Sequence, residues 1–599
     1  MIVKEKVAKL RELMKMEGID IYYIPTADYH QSEYLPDYFK ARRFMSGFTG
    51  SAGTLVVTMK EAGLWADGRY FVQAEKQLKG SSITLYKMGQ DKVPTVSEFI
   101  KEKLPENGVL GFDGRVVSAS TVDHFEKLIA PKGGKTKEDK DLVDEIWEDR
   151  PSLPQESAFL LQDKYTGAKT EDKIKRVQNA MAEKNADVCV LTSLEDVAWL
   201  LNLRGYDIED TPVVLAFATV TKNKVTLFVD KKKLSADICK KLSSVKVSIK
   251  GYFDLGSELS NYTNKKIWID SAVLTSYYKK QIDNSCTIID EKSPIVMYRA
   301  VKNKTEIKNI RYSHIKDGVA VTKFIYWLKN NIGKIEITEL SAAAKLRELR
   351  QAQENHIEAS FGTIAAYGPN AAMMHYSATE DNFAVLKNEG MLLVDSGGQY
   401  LEGTTDITRT IVLGAVSEEV KIYYTAVLRS MLRLSSANFL YGCTGASLDI
   451  LARGPVWDLD LDYQCGTGHG VGFVLGVHEG PHGIRWSNTG TGFAIVPLEE
   501  GMVVTDEPGI YLPNKLGIRI ENELLVQKGK KNTYGQFMHF DTITLAPIDL
   551  DAVRPEDMLD DEIEVLNQYH AEVYSKISPY LTQKERTWLK IQTRKIKKA

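Results

Sequence analysis

At 599 residues the chain exceeds what one hydrophobic core serves; its length predicts roughly four cores, or three if one is large. Hydrophobic residues at 43% and charged residues at 26% exclude wholesale disorder, collagen-like repeats and a disulfide-stapled miniature. Lys and Arg number 77 against 80 Asp and Glu, a net charge of −3, which supplies no overall field for gripping nucleic acid or an anionic membrane.

The N-terminal stretch carries Val3, Val7, Leu10 and Met14 at helical spacing, with no apolar core followed by a small-residue cleavage site. It reads as a folded helix rather than a targeting peptide. That helix leads into the apolar strand Ile19 to Ile24, and about 165 residues later Ile174, Val177 and Met181 lead into Val188 to Leu191 in the same way. Leu64-Trp65-Ala66-Asp67 is likewise answered by Leu227-Phe228-Val229-Asp230. Two similar α/β domains in succession are the economical reading. Pro151, Pro154 and the polar run Gln162 to Thr170 mark one seam, and Ser293-Pro294 a second, before a helix at Lys304. The expected domains are therefore 1–155, 156–300 and 301–599. In the last, the Gly-rich, β-branched segments from Phe361 to Val526 read as hairpins, and the tail from Pro555 to Ala599 reads as helical. Its basic ending, Arg594 to Lys598, reads as a solvated helix end. Cys189, Cys239, Cys286, Cys443 and Cys465 lack CxxC spacing, and no run approaches the ~20 apolar residues of a membrane helix, so a reducing cytoplasm is expected.

The chemistry concentrates in the third domain. The apolar strand Met391 to Val394 ends in Asp395, and the chain returns through Asp406; a hairpin of this length brings the two together. The pattern repeats where Val503 to Glu507 runs out, Pro513-Asn514 turns, and Gly517 to Asn522 returns. Period two places Ile518 and Ile520 on one face and Arg519 and Glu521 on the other. Glu523 shares the Glu521 face. Between the hairpins, Gly466 to Gly472 lets backbone pack close to His469; its spacing is not that of a dinucleotide loop. Four carboxylates at the ends of apolar strands cannot all stay ionised without compensating charge, and two divalent cations with a hydroxide between them supply it. An oxygen-rich set with one imidazole suits Mn²⁺ and admits Zn²⁺, Co²⁺ or Fe²⁺.

Asp395, the eleven-residue step to Asp406, His469 in GTGHGVG, Glu507 in DEPG and Glu521 in GIRIEN resemble the five-ligand pattern of the creatinase, prolidase and methionine aminopeptidase superfamily, whose catalytic fold is called pita-bread. His478-Glu479-Gly480-Pro481, Arg42-Arg43 with Ser46 to Gly53, Ala66-Asp67-Gly68-Arg69-Tyr70 and Trp147 with Asp149-Arg150-Pro151 resemble the three-domain Xaa-Pro aminopeptidases (aminopeptidase P), cytosolic type. The resemblance spans nearly the whole chain. It implies an α/β (α+β) molecule: two creatinase-like N-terminal α/β domains followed by a pita-bread catalytic domain with a C-terminal helical extension. It implies a binuclear metallopeptidase that releases the first residue from peptides with proline second, by attack of a metal-bridging hydroxide. Asp395 is assigned to one metal, His469 and Glu507 to the other, and Asp406 and Glu521 to both. His478 is implied to support the tetrahedral oxyanion and His375 to line the substrate pocket. Glu507 counts among the catalytic groups as well as the ligands, and Arg519 is expected to brace Glu521. Four residues before His469 the family commonly carries a histidine near the proline pocket, where this chain has Cys465 as a substrate-side residue. His30 to Tyr34 and Arg42-Arg43 are implied to approach the mouth of the site; His482 reads as part of a variable turn. A cytoplasmic homodimer acting on peptides, without nucleic acid or membrane partners, completes the implication. A prolidase shares the chemistry but lacks the doubled N-terminal domains, a creatinase-type amidinohydrolase loses the ligands, and a non-catalytic pita-bread binding scaffold replaces the acids and histidines.

Overall fold

The structure is a computed structural model that describes residues 1–486 and 495–598; residues 487–494 of the expected hairpin run and the last residue of the tail lie outside it. The chain forms two compact units, Met1–Gln162 with Ala168–Ile295, and Asp163–Gly167 with Val296–Ala599.

In the first unit, helix α1 (Val3–Glu17) buries Val7, Leu10 and Met14 and ends at Gly18, whose φ of 64° is left-handed backbone that glycine adopts without a Cβ clash. Strands β1 (Ile21–Ile24), β2 (Thr54–Thr58), β3 (Ala62–Ala66), β4 (Thr84–Lys87), β5 (Val109–Gly111) and β6 (Lys135–Lys137) form a sheet in the order β4-β3-β2-β1-β5-β6. Helix α2 (Thr170–Glu183) then buries Ile174, Val177 and Met181. It leads into β7 (Val188–Leu191), β8 (Ala216–Thr221), β9 (Val225–Val229), β10 (Val247–Lys250), β11 (Lys266–Ile269) and β12 (Thr287–Asp290), ordered β10-β9-β8-β7-β11-β12. The two sheets have the same order and the same mixture of antiparallel centre and parallel flanks. The repeat read from the helix-to-strand pattern is therefore a repeat of the whole domain. The two copies join reciprocally: the Ala119 N–H donates to the Leu274 carbonyl at 2.8 Å, and the Ser276 N–H to the Val117 carbonyl at 2.9 Å.

His30 and Arg42 are consumed by this unit rather than offered to a substrate. His30 is 2% exposed; its Nδ1 donates to the Thr192 carbonyl at 2.8 Å and its Nε2 accepts from the Tyr252 hydroxyl at 2.7 Å, which ties the first domain to the second. Arg42 is buried, with its guanidinium donating to Thr26 Oγ1 and to the Phe48 and Gly50 carbonyls, closing the loop that the sequence displays as a motif.

The second unit opens on α3 (Lys304–Asn331), capped by Asn303, whose side-chain oxygen accepts from the N–H groups of Thr305 and Glu306. Helix α4 (Glu339–Gln351) follows. Strands β13 (Ile364–Tyr367), β14 (Met391–Ser396) and β15 (Ile407–Val412) form a sheet with β14 in the middle, buried along its whole length. A larger sheet contains β16 (Asn438–Leu440), β17 (Gly468–Gly470), β18 (Glu479–Ile484), β19 (Val503–Asp506), β22 (Asn522–Asn532) and β23 (Gly535–Thr542), in the order β16-β23-β22-β19-β17-β18; β20 (Gly509–Leu512) and β21 (Leu516–Arg519) form a separate hairpin.

The expected run of hairpins is interrupted by α5 (Glu418–Ser435) and α6 (Gly445–Trp457). Helix α5 starts at Ser417, whose hydroxyl accepts from the Val420 N–H, and buries Tyr424, Val427, Leu428 and Met431 at helical spacing. Helix α6 contains Gly445, Gly454 and Pro455, and it forms where hairpins were expected because it packs on α5. The tail is helical over α7 (Asp560–Ile577) and α8 (Gln583–Gln592). Its basic run lies beyond α8 rather than at a helix end, fixed where Ile596 exchanges two hydrogen bonds with the Asn567 side chain. Among the described residues no helix is long and apolar enough to cross a membrane, and all five cysteines are free.

Candidate metal centre

The first acid pair stands on the β14–β15 ladder, where Asp395 is in register with Thr408. Asp406 immediately precedes β15, and its N–H donates to Glu523 Oε1 at 2.6 Å. The connection passes so close that a Cβ on Gly397 would lie 1.8 Å from the Thr405 carbonyl oxygen. The second pair flanks the β20–β21 hairpin. Glu521 donates its N–H to the Thr408 carbonyl at 3.1 Å, and its carboxylate accepts from the Thr408 hydroxyl at 2.7 Å, so the hairpins are stitched together at the acids. As period two requires, Ile518 and Ile520 enter the apolar core while Arg519 and Glu521 face the site.

His469 enters from β17. A Cβ on Gly468 would lie 1.9 Å from the Thr505 carbonyl oxygen and one on Gly470 2.1 Å from the Glu479 carbonyl oxygen, so the flanking glycines are what allow the three strands to close on the imidazole. His469 Nδ1 lies 2.9 Å from the Gly470 carbonyl, which only a donor can face, so Nε2 is the nitrogen left to face the acids. That Nε2 lies 3.5 Å from Asp406 Oδ2 and 3.4 Å from Glu507 Oε1. Ligand atoms of Asp406, His469 and Glu521 all lie within 4.8 Å of one another.

Two carboxyl groups and an imidazole this close need either shared protons or a cation between them. Burial first, then the charges of Asp395, Glu507 and Glu523, push the Asp406 carboxyl far above its usual range. Glu521 is driven up by burial and by Asp406, Glu507 and Asp395, against the Thr408 hydrogen bond. Asp395 Oδ1 and Asp406 Oδ1 are buried without a protein partner. Oxygen-rich donors, unspent oxygens and an imidazole that turns Nε2 inward fit a cluster of divalent cations.

Arg519 braces a different acid from the one expected. Its guanidinium pairs with Asp395, donates to the Tyr511 hydroxyl at 2.6 Å, and reaches Glu521 only through Thr408, whose hydroxyl accepts from Nε at 3.2 Å. The His478 ring stands edge-on to His469, centroids 4.3 Å apart. His375 is half-buried beside Met374, whose carbonyl accepts from Arg519 at 3.4 Å. Cys465 is half-buried against the core that contains Tyr463 and Ile518. His482 is not in a turn: it lies in β18, 1% exposed, with Nε2 donating to the Val503 carbonyl at 2.7 Å.

Sequence reasoning passed over three supports. Glu523, fully buried, holds the Asp406 backbone and faces His314 Nε2 at 3.1 Å; burial works against the His314 charge, but Glu523 outweighs it and raises the imidazole. Glu479, next to His478, is clamped by Arg299 at 2.9 Å and by buried Lys302. Glu339 gathers the segment that carries His375. Glu523 left a sequence signal in its period-two placement with Glu521, and Glu479 in the motif it shares with His478; Glu339 left none.

Residues 6–150 and 149–306 each match the creatinase/prolidase N-terminal domain, 308–528 match metallopeptidase family M24, and 536–596 match the C-terminal region of that peptidase. The fold and the centre thus define an M24 metallopeptidase with two creatinase-type domains ahead of a pita-bread domain. The chain is 39% identical to a probable Xaa-Pro aminopeptidase P of Paracoccidioides brasiliensis, with 99% of each chain covered. It is 38% identical to Xaa-Pro aminopeptidase 1 of Dictyostelium discoideum, covering 98% of this chain and 96% of that one. Its structure superimposes with a TM-score of 0.94, at 34% identity and over 100% of both chains, on an X-prolyl aminopeptidase from Caenorhabditis elegans described as a cytosolic enzyme with a di-nuclear active site. The chain belongs to the Xaa-Pro aminopeptidase P family of M24 metallopeptidases.

Proposed function

We propose that this centre holds two divalent cations, Mn²⁺ first among them with Zn²⁺, Co²⁺ and Fe²⁺ compatible, and that it removes the N-terminal residue from peptides with proline in second position. Asp395 would hold one ion, His469 and Glu507 the other, and Asp406 and Glu521 would contribute to both. When bound, the ions supply Lewis acidity and activate the attacking water. The observation that carries the reading is His469 Nε2 turned toward two carboxylate oxygens at 3.4 and 3.5 Å while Asp395 and Asp406 each keep an unpartnered oxygen.

The residues around the acids divide the remaining work. A peptide bond to proline has no N–H, so a protease cannot hold it by that donor and needs a shaped pocket instead. His375, His478 and Cys465 line the substrate side in this reading, with His478 donating to the oxyanion. Arg519 pairs with Asp395 and orients it. Glu507 has the more open side chain, 22% exposed against 11% for Asp395 and 5% for Asp406, which suits it to hold a proton on its way to the leaving nitrogen. The enzyme acts in the cytoplasm as a homodimer. Metal stoichiometry by mass spectrometry after chelation and reloading tests the centre: two ions per chain are expected, and a chain that retains none would contradict the reading.

A further inference from the structure

Glu339 opens α4 and is completely buried, yet its carboxylate is met by neutral donors. Oε1 accepts from the Tyr367 N–H at 2.7 Å and the Asn370 amide at 3.0 Å; Oε2 accepts from the Tyr376 hydroxyl at 2.8 Å and the Ala384 N–H at 2.7 Å. The Glu339 N–H returns a bond to the Ala384 carbonyl at 3.1 Å, and Leu386 donates to Ile337 at 2.8 Å. One carboxylate at a helix N-terminus, where the macrodipole favours its charge, therefore closes the segment from Tyr367 to Ala384.

His375 lies within that segment, between two anchored neighbours. On one side the Met374 carbonyl accepts from Arg519, the group that pairs with Asp395. On the other the Tyr376 ring packs with Ile364, Ala371 and Leu393 while its hydroxyl is spent on Glu339. The short 3-10 helix Gly368–Ala372 of this segment also abuts the hairpin of the second acid pair, since a Cβ on Gly517 would lie 1.8 Å from the Ala371 carbonyl oxygen.

We infer that Glu339 is a positioning residue: through Tyr376 it fixes where His375 stands relative to the metal acids, and so sets how the Xaa-Pro substrate is presented. The inference rests on the reading above that His375 lines the substrate pocket. A network that served the fold alone could be built from apolar contacts at less desolvation cost; four converging donors on one carboxylate fix geometry instead.

The test uses the full-length, metal-loaded enzyme and an Xaa-Pro-Pro tripeptide. Tyr376→Phe keeps the ring and deletes one hydrogen bond, so it carries the test even if Glu339→Gln, which turns one acceptor into a donor, fails to fold. Each is made in the wild-type and in the His375→Ala background, with kcat, KM, metal content and limited proteolysis between Met373 and Ala384 measured. Tyr376→Phe is expected to lower kcat/KM about threefold to tenfold and Glu339→Gln by more than about tenfold, mostly through KM, with faster cleavage of the segment and unchanged metal content. In the His375→Ala background neither should lower kcat/KM further. Unchanged kcat/KM in folded variants, or the same fold-loss with and without His375, would overturn the inference while leaving the pocket reading intact. Wild-type kcat/KM in His375→Ala itself would overturn both.

Discussion

At the residue scale the centre depends on a histidine whose ring is oriented by its neighbour's carbonyl. Because His469 Nδ1 is committed to Gly470, Nε2 is the nitrogen that faces Asp406 and Glu507. Asp406→Asn should reduce bound metal and bring turnover below about one-hundredth of wild type, measured by metal analysis and peptide release. In metal-free protein the same change removes a carboxyl that burial first, and then Asp395, Glu507 and Glu523, make costly to ionise, so the stripped variant should melt a few degrees higher than stripped wild type, a reversal that calorimetry detects. His478→Ala should lower kcat at least about a hundredfold while metal content stays within error; an equal fall in metal would place His478 among the ligands. The four motif acids and the one imidazole were legible because each sits at a strand end beside glycine or a turn. Glu339 and His314 were not, since a lone polar residue within a helix pattern gives no sign of what lies 28 residues or 209 residues away across the fold.

At the level of elements, glycines decide whether the strands can meet. With Gly468 packed on the Thr505 carbonyl, Gly468→Ala must push β17 from β19 and move His469 with it. The expected result is destabilisation of about 1–3 kcal/mol, read in denaturant, with at least about tenfold weaker binding of the second metal. Retained affinity would show that the strand spacing does not set the imidazole's place. Both acid hairpins could be read in the sequence because period two and the turn at Pro513-Asn514 fix register locally; Gly509 opposite Arg519 in the β20–β21 ladder is the direct outcome. Helices α5 and α6 could not be read so easily, because glycine and β-branched content outweighed a helical stripe whose partner is itself a helix.

On the scale of the molecule, the doubled N-terminal domains were legible from a few aligned apolar residues, since the same helix-to-strand handover recurs, while their reciprocal join rests on backbone groups that carry no side-chain signature. Buried histidines give each unit an acid sensitivity. Burial pushes His30 and His570 down to about 3, so the folded chain keeps them neutral while the unfolded chain takes up protons below about pH 6.5. The stability they contribute is complete above that pH and is lost as pH falls toward 3. Asp28, beside His30 and pushed up to about 6 by burial, works in the opposite sense, so His570 gives the cleaner readout. Its Nε2 accepts from the Ile548 N–H, a role that Gln can fill, and His570→Gln should flatten the acid limb of the stability profile by up to about 1.4 kcal/mol per pH unit. The same slope in variant and wild type would show that His570 is not the group that titrates. The central claim, a metal-dependent peptidase that requires proline in second position, is tested most directly by mass-spectrometric cleavage of an Xaa-Pro-Pro tripeptide beside Xaa-Ala-Pro, with chelated enzyme and with Mn²⁺ restored. Release of the first residue from the proline peptide alone, and only with metal, is the predicted result; cleavage that ignores the proline, or that survives chelation, would contradict it.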